Sequence, residues 1–218
     1  MLHLLLKEFY VQRKMAYLVP LFLLPYFLTL GKEIPNQGNL MQMIIYSLSI
    51  GFIAYFITTY ANFNTNEGEK NQNRLLLSLP VTRKTVINAK YLMISAWWLF
   101  AYVSYFLIMI LLNFLFDFQV ATLFDLRIAA LSLCFTYLLV SLFYPLHFKY
   151  GFRVASLTGI GAFFLITSSI GKLLPINQIS TLLSIMIEYP IISFAIITLV
   201  IVLISYFLSL RIFTKKDF

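Results

Sequence analysis

Charge is what this sequence has least of. Only 11% of its 218 residues are Asp, Glu, Lys or Arg, against roughly 25% in an ordinary soluble domain. A chain so poor in charge cannot clothe a water-facing surface, so a lipid bilayer must be part of its solvent. Cysteine is almost missing too: Cys134 is alone, and no internal disulfide can form. Histidine is limited to His3 and His147, which share no ligand spacing, so zinc-protease and related metal sites are excluded. No G-x-S-x-G occurs, and no carboxylate pair lies within an apolar run. Asp117 and Asp125 fall in the polar stretch DFQVATLFDLR, where solvated charge is the ordinary reading. The Gly-Lys pair of SSIGKLL lacks both the earlier glycine and the following Ser or Thr of a P-loop. The chain is therefore expected to be no ATPase, to hold no metal or cofactor, and to bind no nucleic acid. Ionisable residues are also missing from the interiors of the apolar runs, which excludes proton relays and pores ringed by charge. If the protein moves anything uphill, the energy must enter from outside the membrane domain.

What the sequence has in abundance is apolar residues, 61% of the chain, with a mean hydropathy of +0.89. A spanning helix needs about 20 largely apolar residues. Six stretches qualify or nearly do: Met15–Gly31, Leu40–Ala61, Tyr91–Phe116, Ile128–Phe148, Val154–Gly171 and Tyr189–Leu210. They are continuously apolar, where barrel strands would alternate over about ten residues. The expected fold is all-α and polytopic, a single transmembrane domain over residues 1–218 with six transmembrane helices. A seventh piece, Leu173–Ile187, would reach only about 22 Å as a helix. Residues 173–188 are thus expected to be an outer segment that re-enters or lies in the interface. With six spans and both termini cytoplasmic, thirteen Lys and Arg fall inside and only Lys32, Arg127 and Lys172 outside, a strong positive-inside bias. A cleaved signal peptide is not expected, because the first run is flanked by charge and contains Pro20 and Pro25.

Residues 1–14, MLHLLLKEFYVQRK, read as an amphipathic helix. Leu2, Leu5, Leu6 and Phe9 share one side at helical spacing, and a basic edge on the other would face anionic membrane lipid. Trp97, Trp98 and the tyrosines near span ends (Tyr17, Tyr26, Tyr91, Tyr206) are expected to be interfacial anchors. Gly159 and Gly161 are expected to let helices approach closely, and Pro145 to mark a kink.

Charge gathers in one place. NEGEKNQNRLLLSLPVTRKTVINAKYL, residues 66–92, holds seven of the twenty-four charged residues and falls in the longest expected cytoplasmic segment, 62–90. Arg74–Leu79 can form a short helix with Leu75, Leu76 and Leu79 on one side, ended by Pro80. Thr82 is placed to cap a second helix that runs into the third span. Arg83 and Lys84 then fall in that helix's first turn, where the macrodipole disfavours cations. Anionic headgroups or an acidic protein surface would offset this. An apolar face ringed by charge has the anatomy of a docking surface. The bland alternative is a hairpin whose leucines rest on the bilayer.

The same stretch resembles the loop between the second and third spans of ABC-2 type transporter permeases. The resemblance rests on the acidic, Asn-rich turn with Glu67 and Glu69, on Leu77-Ser78-Leu79-Pro80-Val81-Thr82-Arg83, and on Lys90-Tyr91 entering the span. In outline the chain looks most like the small permeases of Gram-positive peptide exporters, such as the phenol-soluble modulin type. The resemblance implies that a separate ATP-binding cassette subunit, which would bind the ATP and Mg, docks at Glu67, Glu69, Arg74, Leu75, Leu76, Leu79, Pro80, Arg83 and Lys84. It implies a second permease copy, identical or different, and outward movement of an amphipathic peptide or lipid-like substrate. A scaffold or immunity protein that only holds a cytosolic partner through residues 66–84 would share every feature except the motif. An intramembrane enzyme would need a polar catalytic pair, and none is found.

Overall fold

A computed structural model describes residues 12, 14–24, 39–61, 82–116, 125–173 and 190–215. Among the described residues a 3-10 helix, Lys14–Phe22, precedes the α-helices α1 (Asn39–Ala61), α2 (Arg83–Phe116), α3 (Leu126–Tyr150), α4 (Phe152–Leu173) and α5 (Pro190–Lys215). No strand occurs among the described residues. Four helices, α1, α2, α3 and α5, are long and apolar enough to cross a membrane, while the apolar part of α4, Phe152–Ser168, is shorter. The all-helical fold agrees with the sequence, and each of the last five apolar runs falls on a helix. Of the first expected span the described part is the 3-10 helix with Pro20 inside it. Residues 1–11 of the expected interfacial helix and 174–188 of the expected outer segment lie outside the described residues.

The chain divides into two compact units, one within Met1–Ala61 and Ala89–Thr136, the other within Asn62–Asn88 and Tyr137–Phe218. In the first, the 3-10 helix packs on α1, and Gln12 Nε2 donates to the Ile57 carbonyl at 3.0 Å. α1 comes close to α3 at Gly51. A Cβ built there would lie 2.9 Å from Phe135 Cβ and 3.4 Å from the Ser132 carbonyl oxygen, so α1 and α3 meet at a distance that only glycine permits. Ser47, one turn earlier, donates to the Met43 carbonyl at 2.6 Å and reaches the Ile128 carbonyl of α3 at 3.4 Å. Small residues thus bring these helices together. Of the two glycines expected to do so, Gly159 is buried, whereas an added Cβ at Gly161 would meet nothing within 4 Å.

The tryptophans also sit differently from the expectation. Trp97 is 1% exposed, and Trp98 Nε1 donates at 2.9 Å to Ser132 Oγ, which itself donates to the Ala129 carbonyl. The reason is which side of α2 they occupy. Trp97 faces the protein, with Tyr17 packed edge-on against it and against Phe100. Trp98 is half-buried and turned toward α3 by its Ser132 bond. Tyr91 is buried as well, whereas Tyr17 is largely exposed. Tyr26 lies outside the described residues.

In the second unit the chain turns between α3 and α4 on Gly151 alone, whose φ of 88° is a conformation glycine adopts without strain. Its N–H donates to the His147 carbonyl at 3.0 Å, closing the end of α3. Lys149 and Arg153, expected in a loop, flank this glycine and are exposed.

Candidate functional site

Of the expected docking residues, Glu67, Glu69, Arg74, Leu75, Leu76, Leu79 and Pro80 lie outside the described residues, and so does the short helix Arg74–Leu79. Description resumes at Thr82, where the capping expectation holds. The Thr82 carbonyl accepts from the Thr85 and Val86 N–H groups at 3.0 and 3.3 Å. Its hydroxyl lies 2.6 Å from the Thr85 hydroxyl and 3.4 Å from the Thr85 amide nitrogen. Thr82 is therefore the N-cap of α2.

Arg83, the first residue of α2, does not wait for a headgroup. Its Nη1 donates to the Thr214 carbonyl at 2.6 Å and more weakly to that of Phe213 at 3.4 Å. Both carbonyls belong to the last turn of α5, where backbone oxygens lack intrahelical donors and the macrodipole leaves partial negative charge. A cation misplaced on its own helix is thus well placed on the end of another. The sequence reading looked for acidic side chains or lipid, whereas the observed acceptors are backbone, which no residue type advertises. Lys84 is exposed.

One and a half turns further on, Tyr206 Oη donates to Asn88 Oδ1 at 2.6 Å. Tyr206 was expected as an interfacial anchor, but its hydroxyl binds a side chain of α2. Phe213, next to the carbonyls that Arg83 grips, is buried against the Phe148 ring at 5.2 Å.

A third tie comes from proline chemistry. Pro145 lies inside α3 and has no N–H, so the Ser141 carbonyl four residues earlier loses its helical donor. In lipid such a carbonyl must find another partner. Ser205 Oγ of α5 donates to it at 2.6 Å. The buried positions of α5 are Thr198, Ser205, Ser209 and Phe213, a narrow stripe of mostly small hydroxyl side chains. Up to Leu208 its exposed residues, among them Leu199, Leu203, Ile204 and Phe207, are apolar.

The remaining candidates are structural. His147 stacks on Phe143 at 5.1 Å in the last turn of α3. Asp125, expected to be merely solvated, caps α3: its Oδ1 accepts from the Arg127 N–H at 2.9 Å. An Asp directly before an apolar run was the available signal. Asp117 lies outside the described residues.

A family model described as ABC-2 family transporter protein matches residues 3–214. The chain belongs to that family. Membership makes it the membrane-spanning component of an ABC transporter, multi-pass in the membrane, working with a separate ABC ATPase. No curated protein and no solved structure matches it.

Proposed function

We propose that the chain is the permease of an exporter that moves an amphipathic peptide or lipid-like substrate out of the cell. A separate ATPase subunit binds ATP and Mg and docks beneath residues 66–84, with Leu75, Leu76 and Leu79 as its apolar foothold and Lys84 as an exposed cation beside it. The permease works as a pair, identical or different, with both termini cytoplasmic. The observation that carries the substrate class is the character of the first unit's interior. Trp98, Tyr102, Tyr105 and Tyr46 follow one another in that order with ring centroids 5.7–6.4 Å apart. Ring faces and hydroxyls without charge suit an amphipathic chain better than an ion or a sugar.

The test begins with the tagged chain expressed in its own host and purified in mild detergent. A stoichiometric P-loop subunit with vanadate-sensitive ATP hydrolysis is expected. Inside-out vesicles carrying the complex should then take up a labelled amphipathic helical peptide when ATP is supplied. Purification without any nucleotide-binding partner would remove the exporter reading and leave that of a scaffold that only holds a partner. An ATPase partner with uptake of sugars but no peptide would remove the substrate class alone. Leu75→Asp with Leu76→Asp should release the ATPase while the helical content stays unchanged. Retention of the partner would show that docking lies elsewhere.

A further inference from the structure

We propose that Arg83 and Asn88, at the start of α2, form with the end of α5 a two-point polar joint through which the cytoplasmic segment drives α5. The inference rests on the permease reading and adds the route by which force leaves the docking segment.

Hydrogen bonds at two points join the same pair of segments. Arg83 holds the Thr214 and Phe213 carbonyls, and Asn88 holds the Tyr206 hydroxyl. A single bond would leave α5 free to rotate about it. Two, separated by eight residues of α5 or about 12 Å along its axis, fix rotation and register together. The Arg83 bond is charge-assisted and, at 2.6 Å, short. Arg83 lies at the end of residues 66–84, so whatever displaces that stretch displaces the joint first.

The rest of α5 is built to follow. Its buried stripe is narrow and its exposed face is apolar. Lipid tails are as apolar as leucine, so a shifted α5 exchanges one greasy contact for another with little preference between them. Direction must then come from the polar ties. Ser205 on the Ser141 carbonyl is the pivot further along, and Arg83 with Asn88 is the handle at the end. Lys84 makes the contrast: it is adjacent, equally cationic and exposed, and so is suited to the partner rather than to α5.

The experiment has two arms. In the first, the full chain alone is reconstituted in lipid nanodiscs and its amide hydrogen exchange is followed. Arg83→Met should speed exchange at residues 210–215 at least tenfold, and Arg83→Lys by less. Unchanged exchange would overturn the joint and leave the permease reading untouched. The second arm uses the intact complex, with Cys134→Ser and a label on Leu208→Cys, an exposed position of α5. Trapping with Mg-ATP and vanadate should shift the label's spectrum in the parent. Asn88→Ala should at least halve that shift, while the ATPase stays bound and keeps at least half its hydrolysis rate. An equal shift in the variant, or none in the parent, would overturn the proposal, and so would release of the ATPase. Tyr206→Phe removes one hydroxyl and keeps the ring, so it serves if Asn88→Ala does not fold, and it should halve the shift as well. If the parent binds no ATPase, the permease reading fails, and the first arm still decides whether the joint exists.

Discussion

Helices α1 and α5 are assembled on opposite principles. α1 is the least apolar of the four membrane-length helices and 67% of its apolar window is buried; α5 is the most apolar and only 11% is buried. In a water-soluble protein the order would be reversed, because burial there removes apolar surface from water. In a bilayer the lipid already does that. Burial is then reserved for helices that bring small residues, hydroxyls and aromatic rings to one another, as α1 does with Ser47, Gly51 and Tyr46. α5 keeps its apolar bulk outside and touches the protein through hydroxyls.

The contrast can be broken most forcefully from the outside. Leu203→Lys on the exposed face of α5 would be nearly neutral in water, yet in lipid it should cost about 2.5–3.5 kcal/mol of insertion. A membrane-integration assay reads this directly, and full integration of the variant would contradict lipid exposure of that face. The next largest effect belongs to α1. Gly51→Ala should destabilise the chain by about 1–3 kcal/mol through overpacking against Phe135, seen as earlier unfolding on titration of a mild detergent with a denaturing one. Ser205→Ala is smaller, about 1 kcal/mol, and it sharpens the comparison through a cycle. Pro145→Ala restores the donor to the Ser141 carbonyl, so adding Ser205→Ala to it should cost close to nothing. A full cost in that background would show that the hydroxyl does not answer the proline. Gly161→Ala should be the mildest, within about 0.5 kcal/mol, because open space surrounds it.

Much of the fold was legible. Charge-free runs mark spanning helices because lipid tolerates little else, and five of the six fall on helices. The cap at Thr82 was legible too, since a hydroxyl before a helical run has a local, mechanical meaning. What escaped was pairing between elements distant in sequence. Gly51 in SLSIGFIAYF looks no different from Gly161 in TGIGAFF, and only the partner helix decides which is crowded. Trp97 escaped because a position near a span's end does not say which side of the helix faces the protein. Arg83 stood out as a cation in the wrong place on its helix, but its acceptors are carbonyls, which every residue carries. The Ser141–Ser205 tie was half written: Pro145 announces an orphaned carbonyl, and nothing local names the donor. The Leu77–Arg83 motif resembles that of ABC-2 type permeases, and the family match over residues 3–214 agrees with that resemblance.

Helix α2 has 34 residues, and at about 1.5 Å each it is about 51 Å long. The hydrocarbon core of a bilayer is about 30 Å thick, and spanning helices lean from its normal by at most about 40°. Projected at that limit, α2 still covers about 39 Å, so no ordinary tilt can submerge it. The end left standing in water is the one with Arg83, Lys84 and Lys90, since no other charge occurs along it. One continuous rod therefore belongs to two solvents. A thicker bilayer would draw more of it under and a thinner one would free more, which makes the height of its charged tip above the membrane a function of the lipid around it.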